Sequence, residues 1–261
     1  MTIASIRPEG NLLLDALQPA DRDRLQPHLE WVALPAGTSL YAAGAPLRHV
    51  WFPATAVISL VASLRDGATV EVAVVGNEGV AGVCAFMGSH EALCTGVVLR
   101  GGHGWRVRVE AITEFAGTSE TLMQPVLRYL QALFTQIAQT SACNRHHAVE
   151  QQLCRWLLLN DDRGDSNNEL RATQERIAHM LGVRREGVTV GAGKLQSAGL
   201  IRYGRGRIAI LDRKGLEQRS CECYSVMRNA RERLLGRPAN THRHHSERES
   251  FAFDSSRSKA A

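Results

Sequence analysis

The hydrophobic pattern of this chain changes period near Gly117, and that change limits the possible folds more than any other feature. Before it, from Trp31 onward, short runs of Val, Ile, Leu and Trp are cut by Pro35-Ala36-Gly37, Gly44-Ala45-Pro46, Asp66-Gly67, Gly76-Asn77, Gly88-Ser89 and Gly101-Gly102. Breaks at intervals of roughly 8–14 residues predict several short strands in a sandwich or barrel, clearest at 70–75 and 105–109. After the change, Met123, Val126, Leu130, Leu133 and Ile137 follow 3-4-3-4 spacing, and Leu127 and Phe134 form a second line seven apart. This predicts a long amphipathic helix over residues 119–143, with Pro125 tolerated in its first turns. Packing on its own domain is one use for such a seam. Its surplus of apolar positions favours a homodimer held by Met123, Val126, Leu130, Leu133 and Ile137. Ahead of the strands, the leucines at 12, 13, 14, 17, 25 and 29 predict one or two short helices.

Beyond the long helix the pattern stays helical, over about 148–159, and then turns polar at 161–168. Thr173 can cap the next helix, whose buried side is Ile177, Ala178 and Leu181 and whose end is Gly182. A second helix runs from about Arg184 to Ser197 and stops at Gly199. Ile201 and Tyr203 alternate up to Gly204-Arg205-Gly206, and Ile208 and Ile210 alternate after it, which predicts a β-hairpin. Two short helices with a tight turn, followed by a hairpin, make a winged helix-turn-helix. The start of its second helix faces the major groove of DNA. There Arg185 can donate twice to guanine and Glu186 can accept from cytosine. Arg184 can do either that or hold a phosphate, and Val190 offers apolar contact to a thymine methyl. Thr173, Lys194, Arg202, Arg205 and Arg207 lie beyond the reading surface and suit phosphate contacts. Gly187, Gly191 and Gly193 weaken this helix by roughly 1 kcal/mol each; close backbone packing at Gly191 is the simplest reason for one of them.

Charge supports the same reading. Residues 1–118 carry 8 Lys/Arg and 11 Asp/Glu, a balance of −3, while residues 171–214 carry 10 and 3, a balance of +7. A basic segment behind a mildly acidic domain suits phosphate neutralisation. At 261 residues the chain can hold two domains. No secretory signal and no apolar run near 18 residues is evident, so a cytoplasmic protein without membrane contact is expected. The six cysteines form no Cys-x-x-Cys pair, which argues against a disulfide framework or a zinc site. Neither a metal, a catalytic residue set nor a cofactor is expected, and an enzyme is not. Two thiols as close as Cys221 and Cys223 point in different directions within a helix and would strain to bridge; His146-His147 and His242, His244 and His245 could bind metal weakly, the second group, in the tail, being incidental. The alternative function is a ligand-sensing module whose basic wing binds nucleic acid nonspecifically or meets another acidic partner.

With these pieces in order, the chain resembles the Crp/Fnr superfamily of bacterial transcription regulators over about residues 12–215. Residues 37–61, GTSLYAAGAPLRHVWFPATAVISLV, resemble the opening strands of the cyclic-nucleotide-binding-like β-roll. Residues 75–88, VGNEGVAGVCAFMG, resemble its central turn and short helix. The resemblance implies an α+β fold: a β-roll effector-sensing domain over 1–118, a dimerisation helix over 119–145, and a winged-helix DNA-binding domain over 146–220. A C-terminal helix over 221–235 and a disordered tail over 236–261 complete the expected organisation. The family implies a homodimer on an inverted-repeat promoter site, with RNA polymerase as a further partner. It also implies an unknown small-molecule effector, in a pocket bordered by Glu78, Gly79, Cys84, Cys94 and Thr95.

The departures narrow this expectation. Cyclic-nucleotide binders of the family place an arginine beside Ser or Thr in the stretch that here reads Ser89-His90-Glu91-Ala92-Leu93-Cys94-Thr95. Without that cation a cyclic phosphate loses its main partner, so the effector is expected not to be cyclic AMP. The N-terminal iron–sulfur cysteines of oxygen-sensing members are missing, the first cysteine being Cys84. Val190 stands where the family has a second reading arginine, so the DNA half-site should differ.

Overall fold

The computed structural model describes residues 10–164 and 169–236. Most of the expected tail, with His242, His244 and His245, therefore lies outside the described residues, as does part of the polar loop at 161–168. Two short helices come first among the described residues, α1 (Leu12–Asp15) and α2 (Pro19–Leu25). Asn11 caps α1 by accepting from the Leu13 and Leu14 amides, while its amide donates to Pro53 O and Gly79 O.

Seven strands follow: β1 (Glu30–Leu34), β2 (Ser39–Tyr41), β3 (His49–Pro53), β4 (Val57–Ser63), β5 (Thr69–Val75), β6 (Thr95–Arg100) and β7 (Gly102–Arg108). They form two antiparallel sheets, ordered β1-β7-β3 and β2-β6-β4-β5. The second sheet is covered on both faces. Ile58, Leu60, Ala73, Val75 and Val98 point into the N-terminal core. Their neighbours Val57, Val61, Val74 and Leu99 point the other way, into the core of the C-terminal half. Side chains alternate along a strand, so burial on both faces produces continuous apolar runs such as Val57–Val61 in place of apolar–polar alternation.

A helix absent from the sequence expectation, α3 (Val109–Thr118), follows β7 and buries Val109, Ile112 and Phe115. The expected single helix from residue 119 therefore becomes a turn followed by α4 (Met123–His146). Ser119 causes the break. Its backbone is extended, and its Oγ accepts from the Leu122 amide at 3.1 Å while donating to buried Asp21 at 2.5 Å.

The expected seam is corrected by the fold. Val126, Leu130 and Leu133 are buried in the protomer's own N-terminal core, with Ile137 packed against it and Met123 half-buried. The line left exposed is Leu127, Gln131, Phe134 and Ala138. Both lines repeat every seven residues, and the one that faces the N-terminal core is buried at home.

The C-terminal half comprises α5 (Val149–Asp161), β8 (Glu169–Arg171), α6 (Gln174–Leu181), α7 (Arg185–Ser197), β9 (Ile201–Gly204), β10 (Arg207–Ile210), α8 (Arg213–Arg219) and α9 (Glu222–Leu235). Its sheet is ordered β8-β10-β9. α9 lies along α4. It is fastened to α5 by Arg231, at 3.3 Å from Asp162, and by Tyr224, whose hydroxyl donates to Asp162 and accepts from Arg213.

Candidate nucleic-acid interface

The helix pair is built by local signals. Thr173 has extended backbone and its Oγ1 accepts from the Arg176 amide at 3.2 Å, which starts α6. Gly182 ends it in the left-handed region at φ 64°. Arg184, again extended, stands at the start of α7, and Arg185 and Glu186 occupy its first turn. Val188, Gly191, Ala192 and Leu195 are the buried side. Arg184, Arg185, Glu186, Thr189 and Val190 are exposed, Val190 by 58 %.

The wing is a two-residue turn. Gly204 pairs with Arg207 across Arg205 and Gly206, whose φ values are 51° and 72°. Two consecutive positive φ values define a type I′ turn, the twist that antiparallel strands favour. The turn holds Arg205 at the tip, with Arg202 and Arg207 exposed on the flanking strands. A cleft of about 420 Å³ is lined by Thr173, Gln174, Glu175, Arg185, Tyr203 and the turn residues 204–206. Four of the expected DNA-contacting positions thus border, or lie next to, one groove: Thr173, Arg184, Arg185 and Arg205. Lys194 sits apart. Its Nζ is 3.7 Å from Glu150 at the start of α5, a carboxylate also paired with Arg219 at 3.1 Å.

Sequence reasoning missed Gln174 and Thr189. Thr189 Oγ1 donates to Gln174 Oε1 at 2.8 Å, so the first turn of α6 steadies the exposed face of α7. Thr189 is one turn after Arg185, and that spacing was the available signal. The expected close packing at Gly191 is loose. A Cβ there would meet the Glu150 backbone at 3.6 Å, an ordinary contact, and one at Gly193 would meet nothing within 4 Å.

The expected effector pocket is not assembled as foreseen. Glu78 is buried in an ion pair with Arg163 at 2.5 Å, and Arg163 also donates to Leu159 O and Gln136. That network joins the β5 turn, α4 and the end of α5. A Cβ at Gly79 would overlap the Tyr129 ring of α4, whose hydroxyl donates to Val80 O at 3.1 Å. Thr95 Oγ1 accepts from the Ala43 amide. Cys84 is buried, and burial pushes the Cys94 thiol up to about 11. Tyr41 and Tyr129 stand among these groups, both raised well above the usual phenol range, chiefly by burial. Sequence reasoning missed both tyrosines; Gly79, pressed against Tyr129, and Gly96, pressed against Tyr41, were the available signals.

A second correction concerns the cysteines. Cys221 is not inside a helix but precedes α9 with extended backbone, φ −74° and ψ 164°. That geometry turns its thiol to the same side as Cys223. Both meet Cys143 and His147 from the last turn of α4. The Cys143 and Cys221 sulfurs are 3.5 Å apart, and Cys223 Sγ is 3.4 Å from His147 Nδ1.

Residues 151–219 match the model of the Crp-like helix-turn-helix domain. No curated protein matches the chain. The fold is similar to that of FixK2 from Bradyrhizobium japonicum, with TM-score 0.63 at 14 % identity, covering 74 % of this chain and 98 % of that one. It is also similar to a putative Crp/Fnr-family transcriptional regulator from Eubacterium rectale, with TM-score 0.58 at 20 % identity and coverage of 79 % and 96 %. A CRP-family transcriptional regulator from Thermus thermophilus aligns with TM-score 0.59 at 19 % identity, covering 73 % and 96 %. Among the described residues no helix is long and apolar enough to cross a membrane. Residues 151–219 are thus a Crp-like helix-turn-helix domain, set behind a β-roll and a long helix in the fold that these regulators share.

Proposed function

We propose that the protein is a homodimeric, sequence-specific regulator in the cytoplasm that reads an inverted-repeat DNA site, one α7 per half-site. The observation that carries this reading is the exposed cluster Arg184, Arg185, Glu186, Thr189 and Val190 on α7, beside a groove bordered by Thr173 and Arg205. Arg185 and Glu186 read base edges, Val190 contacts a methyl group, and Thr173, Arg202, Arg205 and Arg207 hold the backbone. Lys194 reaches phosphate only by leaving Glu150. The dimer forms through the exposed Leu127, Gln131, Phe134 and Ala138 of α4, which at 24 residues is about 36 Å long. The controlling signal is a ligand other than cyclic AMP, since the stretch 89–95 offers no arginine to a cyclic phosphate. RNA polymerase is the further partner of the DNA-bound dimer.

Selection of bound fragments from random DNA tests the reading by yielding an inverted repeat. Arg185→Ala with Glu186→Ala removes two base contacts in each half-site, at least about 4 kcal/mol in all at roughly 1–3 kcal/mol per contact, so affinity for that site should fall by about 1,000-fold or to the random-sequence level, with random-sequence binding nearly intact. Equal loss on both DNAs would overturn the base-reading role.

A further inference from the structure

We propose that Cys143, His147, Cys221 and Cys223 bind one tetrahedral thiophilic metal ion of the Zn²⁺ class, and that this ion clamps the two ends of the DNA-binding half together. The four donor atoms lie within 4.8 Å of one another. A tetrahedral zinc with Zn–S of about 2.3 Å and Zn–N of about 2.0 Å has donor–donor edges of roughly 3.5–3.8 Å. Two of the pairs, Cys143–Cys221 at 3.5 Å and Cys223–His147 at 3.4 Å, match that edge. Three buried thiols with one imidazole form a closed ligand set, the kind found in structural zinc sites. The donors are too close together to surround a multinuclear iron–sulfur cluster. A Cys143–Cys221 disulfide would leave Cys223 and His147 without a role.

The surroundings complete the site. His147 Nε2 lies 3.3 Å from Glu222, a carboxylate that orients the ring and leaves Nδ1 facing the thiols. Gln139 Nε2 donates to Cys223 Sγ at 3.2 Å, a bond that strengthens when the sulfur is a thiolate. Binding releases three thiol protons and takes His147 as neutral imidazole, with no change of oxidation state. The loaded site carries a net charge of −1. A counter-charge is present in Arg155, a buried cation that donates only to Thr140 at 3.1 Å and Asn144 at 3.4 Å and whose Nε has no partner. Among the described residues no carboxylate lies within ion-pair distance of Arg155, whose charge is felt both by the buried Glu71 carboxyl and by the Cys143 thiol. A buried cation of this kind needs an anion nearby, and the thiolate site supplies it.

The position gives the site its role. His147 caps the C-terminus of α4, immediately before α5, and Cys221 follows α8. The ion therefore joins the entry of the DNA-binding half to its exit and sets the angle at which α5, with α7 packed on it, leaves the long helix. This role, unlike the metal site, rests on the DNA-binding reading.

Metal analysis of the purified full-length protein, kept reduced, should find about one zinc per chain. Cys221→Ser with Cys223→Ser should reduce it below about 0.1, whereas Cys94→Ser keeps it. Co²⁺ in place of zinc should show tetrahedral d–d and thiolate charge-transfer bands that the double variant lacks. Removing the ion should weaken specific DNA binding by about tenfold or more, reversibly on adding zinc. The site is overturned if the parent protein takes up no zinc on reconstitution, binds iron with strong visible absorption instead, or if the double variant retains the metal. Unchanged DNA affinity after removal overturns the clamp. A protein that holds zinc but prefers no DNA sequence overturns the DNA reading and leaves the site standing.

Discussion

Replacing both Leu127 and Phe134 with glutamine should separate the dimer without unfolding the protomer. These side chains are 53 % and 58 % exposed, so each protomer leaves slightly over half of a leucine and half of a phenylalanine to be covered. Full burial of such a side chain contributes about 1.5–3 kcal/mol. The exposed half is then worth roughly 0.8–1.7 kcal/mol, and four of them in a symmetric pair come to about 3–7 kcal/mol. Even the lower end raises the dissociation constant by about 100-fold. Glutamine suits an exposed helix position and adds no charge, so thermal stability measured under monomeric conditions should change little. Sedimentation velocity over a concentration series gives the dissociation constant directly. Leu130→Ala provides the contrast. Its side chain is in the N-terminal core, so it should cost about 2–5 kcal/mol of folding stability. A dissociation constant within a factor of two of the parent's for the Leu127/Phe134 variant would refute the placement of the interface.

Glu71 in the interior and Gly193 on the surface of α7 give two further outcomes. Burial pushes the Glu71 carboxyl from 4.5 to about 7, against the Ser59 hydroxyl donating at 2.5 Å and the charges of Arg155 and Arg163. Its folded pKa is above the unfolded one, so the folded state holds the extra proton and stability falls as pH rises from about 4.5 to about 7, by up to about 3 kcal/mol. Glu71→Gln should remove that fall and be the more stable protein at about pH 8 in urea titrations; identical slopes for both proteins over this window would contradict it. Gly193→Ala should raise stability by roughly 0.4–1 kcal/mol, because the position is helical and a Cβ there meets nothing within 4 Å. A fall in melting temperature would show that the backbone at Gly193 is held by something other than this helix.

Local chemistry made the reading half legible. The Thr173 cap, the left-handed Gly182 and the Arg205-Gly206 turn each act within a few residues, and the structure has all three where their residue types imply. α3 was missed although Val109, Ile112 and Phe115 repeat at helical spacing, because the strand β7 runs directly into it without a turn residue. The surroundings of the expected effector pocket were illegible for a different reason. Glu78 and Gly79 look like ligand-facing turn residues until Arg163 and Tyr129 arrive from distant helices.

By itself, the sequence determined the change from strands to helices, the presence of a winged helix-turn-helix and the exposed Arg185-Glu186 pair. Each depends on backbone preferences and side-chain period over a few residues. Tertiary structure alone decided which of two seven-residue lines on α4 faces the core. It alone brought Cys143 and Cys221 together across 78 residues, and paired Glu78 with Arg163 across 85. Periodicity names a face but not its partner. The partner is chosen when the chain closes on itself and the competing faces are buried in proportion to the apolar surface opposite them.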